Sequence, residues 1–227
     1  MKILIITISL LISISLFAQE KDKRNLEAFN QIETYGSIKL KLIKDNEELI
    51  KTETQNFDIN DIKISVKDSV LRIRHKPKFK KEYKINIVLH YKSIDKITAG
   101  TASLIYNTKE VKTDSINIKA IAGGEIKLNI KSLYTSAKAT GGSTITLNGN
   151  SNKADFSANT GGVINAQNII CKVAKIKVGS ASKIHAQVTD NLKAKTSMGG
   201  HLNIYGKPNK QDIKTSVGGT YKIIRKE

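Results

Sequence analysis

From residue 97 onward apolar and polar residues alternate, and the alternation restarts at a nearly fixed interval. Its reference points are small residues, Ser103, Gly124, Ser143, Gly162, Ser182, Gly200 and Gly219, separated by 21, 19, 19, 20, 18 and 19 residues. Six positions before them stand Ile97, Ile118, Ala137, Phe156, Ile176, Ala194 and Ile213. Four before stand Ala99, Ala120, Ala139, Ala158, Val178, Thr196 and Thr215. Two after come Ile105, Ile126, Ile145, Ile164, Ile184, Leu202 and Tyr221, and four after come Asn107, Leu128, Leu147, Ala166, Ala186, Ile204 and Ile223. Alternation of period two marks a strand with one buried face. Each repeat therefore predicts a strand, a tight corner of small residues, a second strand, and a polar connection such as Asn148 to Lys153.

Two strands of that length cannot bury a core alone. Stacked as coils of a parallel β-helix they can, because the four columns become ladders of like residues and each coil satisfies its neighbour's backbone. The expected fold is all-β: a right-handed parallel β-helix, or solenoid, of about seven short coils, extending roughly 30 Å at ~4.8 Å per coil. Glycine pairs such as Gly141–Gly142 then serve as corners, where a missing β-carbon permits positive φ and close stacking. An antiparallel meander is the competing arrangement, since two-residue glycine turns also close hairpins. The corner Gly179–Ser182 lacks a glycine pair, which leaves its tightness open.

Before residue 97 the period is lost but alternation persists, in "SIKLKLI" (37–43), "IKISV" (62–66), "LRIR" (71–74) and "KINIVLHY" (84–91), with a turn at Lys67–Ser69. Residues 19–96 are expected to form an irregular N-terminal β-cap on the solenoid of residues 97–227, shielding an edge that would otherwise pair with other chains. The first 18 residues, one lysine followed by an apolar, hydroxyl-rich run ending at Ala18, read as a secretory signal peptide. An uncleaved anchor is the rival reading.

The succession "FNQIETYGSIKLKLIK", "VKDSVLRIR" and "INIVLHYKSIDKITAGTAS", leading into repeated GG-x-I-x coils, resembles the head GIN domain family of putative auto-transporter adhesins, a domain of unknown function. The resemblance covers nearly all of the chain after the signal. It implies an exported β-helical protein of the bacterial envelope and brings no catalytic residues.

Charge adds one feature. The chain carries 38 Lys and Arg against 20 Asp and Glu, which draws it to anionic partners: an anionic glycan or lipopolysaccharide, with intracellular nucleic acid set aside by export. A composition rich in Lys, Ile and Asn, as AT-rich coding produces, is the plainer source of the excess. The densest run is "RIRHKPKFKKEYK". It gives Arg72, Arg74, Lys76, Lys78, Lys80, Lys81 and Lys84 as the candidate anion contact, with Phe79 and Tyr83 for stacking. Its plainer reading is a solvated hairpin that guards an edge.

Catalysis and metal binding find little. Phosphate loops need a following helix and calcium nonapeptides need a fixed aspartate, and neither occurs. The acids of the repeat region fall at scattered offsets, so no carboxylate pair for glycan cleavage gathers on a ladder. His75, His90, His185 and His201 lack ligand spacing. Cys171 has no disulfide partner and reads as a buried hydrophobe. The sequence thus predicts a non-enzymatic adhesin or surface scaffold without cofactor or metal, not integral to the membrane after signal cleavage, in the periplasm, outer envelope or secreted. The second reading is a glycan-binding or glycan-cleaving β-helix.

Overall fold

A computed structural model describes residues 19–76 and 82–224. The signal segment, residues 1–18, lies outside the described residues. The strands are β1 (Gln19–Asn25), β2 (Gln31–Tyr35), β3 (Lys39–Lys44), β4 (Leu49–Gln55), β5 (Ile62–Lys67), β6 (Val70–His75), β7 (Lys84–Tyr91), β8 (Lys96–Gly100) and β9 (Leu104–Asn107). They continue with β10 (Val111–Ile121), β11 (Glu125–Thr140), β12 (Thr144–Asn159), β13 (Val163–Val178), β14 (Lys183–Thr196), β15 (His201–Tyr205), β16 (Lys210–Thr215) and β17 (Thr220–Ile224).

These strands form a β-solenoid of about seven turns, and three of the four predicted columns are continuous ladders; the fourth, four residues after the reference points, is interrupted by a register shift at Leu147 between β12 and β13. Ile105, Ile126, Ile145, Ile164, Ile184, Leu202 and Tyr221 face one another in parallel register from coil to coil. All but Tyr221 are fully buried or nearly so. The column before the corners, Ile97–Ile118–Ala137–Phe156–Ile176–Ala194–Ile213, is likewise continuous. The strand segments before the corners build one flank, and those after the corners build the other.

Every corner has the same backbone. Two consecutive residues take positive φ: Thr101–Ala102, Ala122–Gly123, Gly141–Gly142, Thr160–Gly161, Ser180–Ala181, Met198–Gly199 and Val217–Gly218. In most of them the fourth residue's N–H returns to the first residue's carbonyl, as from Gly124 to Ile121 at 2.9 Å and from Gly200 to Ser197 at 2.9 Å. This is the backbone of a type I′ turn. At Thr140–Ser143 the Ser143 hydroxyl stands in, accepting from the Thr140 N–H at 2.9 Å and donating to the Ala120 carbonyl at 2.8 Å. The corner without a glycine pair closes in the same way, with the Ser182 N–H 3.2 Å from the Gly179 carbonyl. It does so by forcing Ser180 and Ala181 to φ of 47° and 55°. An L side chain there costs about 1 kcal/mol, and glycine gives part of that back as unfolded-chain entropy. Ala181→Gly is accordingly expected to stabilise the protein by about 0.5 kcal/mol, read from the midpoint of a urea melt.

The polar connection takes a different form from the one expected. β11, β12 and β13 each run 16 residues without a break, so the segment between flanks is a third hydrogen-bonded side. Polar residues can be buried there because they satisfy one another. Ser132 Oγ lies 2.6 Å from Thr135 Oγ1 and 3.1 Å from Ser151 Oγ, and Ser151 Oγ is 3.0 Å from Thr135 Oγ1. Cys171 sits in the same inward column, opposite Ser151. It is fully buried, and burial raises its thiol pKa to about 12. A thiol so protonated is a poor nucleophile at neutral pH.

The N-terminal strands cover the first coil by continuing its two flanks. β2 lies between β6 and β8, and β3 lies between β7 and β9, all parallel. Chain order and stacking order differ here, because the later β6–β7 unit stacks outside the earlier β2–β3 unit. Antiparallel strands finish the edges: β5 on β6 through a turn at Asp68 and Ser69, and β4 with β1 on β7.

Candidate functional site

The predicted basic run is divided by the fold. Arg72 and Arg74 point outward from β6 on the flank before the corners, and Arg72 is paired with Glu33 of β2 at 3.1 Å. Lys84 begins β7 on the other flank, opposite Gln55. Lys76 is exposed, and Lys78, Lys80 and Lys81 lie outside the described residues. Between the two flanks, His75 packs edge-on against Phe57 and Tyr83, with ring centres 5.1 and 5.5 Å away. Tyr83, expected as a stacking surface for ligand, is instead partly buried against the core.

A denser basic surface lies further along the flank before the corners. Between its two buried columns runs an outward column in continuous parallel register: Thr98, Lys119, Lys138, Ser157, Lys177, Lys195 and Lys214. Lysine fills five of these seven positions. The matching column of the other flank, Tyr106, Lys127, Thr146, Asn165, His185, Asn203 and Lys222, holds two. Composition alone therefore does not account for the row. Two residues earlier on each strand a second row reads Lys96, Asn117, Ser136, Asp155, Lys175, Lys193 and Asp212.

Two depressions open beside these rows and share Asp155 and Lys175. One, of about 270 Å³, lies where Ser157 interrupts the lysine row and is edged by Ser136, Lys138 and Lys177. The other, of about 320 Å³, has an apolar floor of Ala154, Val173, Ala174 and Leu192, with Tyr134 and Lys193 at its margin. The Tyr134 hydroxyl donates to Asp155 Oδ2 at 3.0 Å. Partial burial and this acceptor raise the phenol's pKa, so it stays a donor across the neutral range. Of the lysines in the two rows only Lys193 has a carboxylate within ion-pair reach among the described residues, Asp212 at 3.9 Å.

The acids in this region do not form a cleaving pair. Asp155 and Asp212 stand in one column with Lys175 and Lys193 between them. Three strand spacings separate them, about 14 Å at ~4.8 Å each. Glycosidase carboxyls sit roughly 5–9.5 Å apart. The histidines have local partners: His90 bonds Asp45 at 2.6 Å, and this bond is the main reason the Asp45 pKa is lowered. His201 bonds Thr220 at 2.6 Å, and His185 lies 3.3 Å from the Tyr205 hydroxyl. Burial, aided by Lys183, lowers the His185 pKa, which keeps its imidazole neutral at pH 7.

The basic run from Arg72 stands out in the sequence because its charges are adjacent, whereas the members of the lysine row are about nineteen residues apart. The signal was nonetheless present, as the residue five positions before each small reference residue.

Residues 28–208 match the sequence profile of the family described as "Putative auto-transporter adhesin, head GIN domain". Among proteins of curated function, none matches the sequence. A crystal structure described as a putative adhesin from Bacteroides fragilis superposes with a TM-score of 0.83 at 17% identity, covering 91% of this chain and 97% of that one. Another, from Parabacteroides merdae, gives 0.72 at 17% identity and covers 92% and 96%. A structure from Parabacteroides distasonis described as a putative lipid binding protein gives 0.68 at 16% identity and covers 91% and 96%. At these identities the likeness establishes the shared fold.

Proposed function

The chain belongs to the head GIN domain family, and from that premise we propose that it is an exported, non-enzymatic protein of the bacterial envelope, acting as an adhesin or surface scaffold. The observation that carries this reading is the family match over residues 28–208. Two features support it. The apolar, hydroxyl-rich leader of residues 1–18 supports export. The separation of Asp155 from Asp212 supports binding over cleavage, because acid and base must flank one bond.

Expression of the full chain with its own leader in a Gram-negative host tests the proposal. Intact cells are expected to lose the protein to added protease and to attach to glycan-coated surfaces more than cells without it. Protection from protease on intact cells, with release by osmotic shock, would place the protein in the periplasm and end the display reading.

A further inference from the structure

We infer that the lysine-bearing flank, with its adjoining groove, binds a linear acidic polysaccharide lying along the solenoid axis. The inference rests on the display reading only in requiring access to such a glycan.

Spacing is the first argument. Lys119, Lys138, Lys177, Lys195 and Lys214 occupy one outward column, so positive charge recurs at multiples of about 4.8 Å along the axis. Lys175 and Lys193 add a parallel row, two residues or ~6.6 Å to the side. A rigid, one-dimensional charge array of this kind engages a chain with many anionic groups in register, where each contact raises the effective concentration of the next. A lone small anion would use one step of it.

The array's own energetics point the same way. Like charges directly across neighbouring strands are destabilising, and Lys119, Lys138, Lys177 and Lys195 lie on interior strands, where they guard no edge; Lys214 alone stands on a terminal strand, β16. Asp155 stands across from Lys175 and Asp212 across from Lys193, but the outward column of Lys119, Lys138, Lys177, Lys195 and Lys214 has no carboxylate within ion-pair reach among the described residues, and it holds a repulsion that a bound polyanion would relieve.

Shape selects sugar over lipid. Where Ser157 breaks the row, the 270 Å³ depression sets Lys138, Lys175 and Lys177 around the Ser136 and Ser157 hydroxyls and the Asp155 carboxylate; the lysines suit a carboxylate or sulfate, and the hydroxyls and Asp155 suit the sugar hydroxyls beside it. The 320 Å³ groove beside it sets a short apolar floor against the Tyr134 ring, which fits the alternately apolar and hydroxylated faces of a pyranose. Both depressions open onto the flank and neither is an enclosed cavity of the kind that takes acyl chains.

Isothermal titration of the purified chain with an alginate octamer at about 0.15 M salt tests the inference, with a neutral cello-oligosaccharide as reference. The variant K175Q/K177Q/K193Q/K195Q removes four charges from the array. The variant K41Q/K127Q/K183Q/K222Q removes four from the other flank. Saturable binding of alginate alone is expected, weakened about tenfold or more by the first variant and less than about threefold by the second, with neither variant melting below the wild type. Equal loss in the two variants would reduce the effect to net charge. Absence of saturable binding at that salt, or tighter binding to phosphatidylglycerol vesicles that displaces the octamer, would overturn the assignment. Binding is read on purified protein and display on intact cells, so either proposal can fail without the other.

Discussion

Replacing Ile164 with aspartate is expected to destabilise the protein by about 3–5 kcal/mol, while replacing Asn165 with aspartate leaves the urea midpoint nearly unchanged. Ile164 is fully buried, with Ile145 and Ile184 as its ladder neighbours above and below. A carboxylate at that position finds aliphatic groups on both sides, and it must either stay charged without a partner or take up a proton at a cost set by its raised pKa. Asn165, one residue on, points outward between Thr146 and His185, where a carboxylate remains hydrated. The difference between two adjacent positions isolates the in–out assignment from any general effect of added charge. Equal losses in the two variants would show that the ladder frame is off by one residue.

The second large effect separates the two glycines of one corner. Gly123 has φ of 76°, and a β-carbon on it would lie no closer than 3.9 Å to any neighbour, the backbone nitrogen of Ala102. Gly124 has no positive φ, but a β-carbon there would fall 2.3 Å from the Ala99 carbonyl oxygen of the coil before. Gly123→Ala should therefore cost about 1 kcal/mol, the left-handed penalty alone, as Ala102 already tolerates φ of 60° in the equivalent place. Gly124→Ala should cost about 2–3 kcal/mol, because relief requires moving a backbone that is hydrogen-bonded to coils on both sides. Gly124→Ser is expected to fall between them. The neighbouring coils carry serine at this position, and the hydroxyls of Ser103 and Ser143 donate to the carbonyls of Thr34 and Ala120 at 3.0 and 2.8 Å. Thermal melts of the three variants give the order, and a Gly123→Ala loss exceeding that of Gly124→Ala would contradict the steric account.

The pair Gly123–Gly124 is thus two requirements side by side, one for conformation and one for space, whereas Gly141 and Gly142 both take positive φ. From sequence the two requirements look alike, since composition does not distinguish a residue that needs positive φ from one that needs no β-carbon. The same limit shows at Gly179–Ser182, where the absence of a glycine pair leaves the tightness of the corner open. Hydrogen bonds to the coils on either side hold Ser180 and Ala181 in the left-handed region: the Gly161 N–H donates to Ser180, and the Ala181 N–H donates to Met198. Tertiary pairing overrides the local preference by about the cost that Ala181→Gly would recover.

For the candidate site, adjacency in the chain is not adjacency in space. Arg72, Arg74 and Lys84 are close in sequence, yet β6 and β7 belong to different flanks, and Glu33 from another strand pairs with Arg72. Lys177 and Lys195 are eighteen residues apart and stand directly across from each other. Parallel stacking converts a repeat in sequence into proximity in space, so surface chemistry on a solenoid is read down columns.

What the sequence alone determined was local. Which residues face inward follows from period-two alternation, and where the chain turns is marked by the small residue that closes each corner. Partner choice belonged to the tertiary structure. A type I′ turn closes a hairpin as readily as a solenoid corner, and the decision for parallel coils comes from burying isoleucine against isoleucine about nineteen residues away, an energy no short segment contains. The same nonlocal term placed β6–β7 outside β2–β3, drew the polar connections into a third side once Ser132, Thr135 and Ser151 could satisfy one another, and aligned scattered lysines into one row.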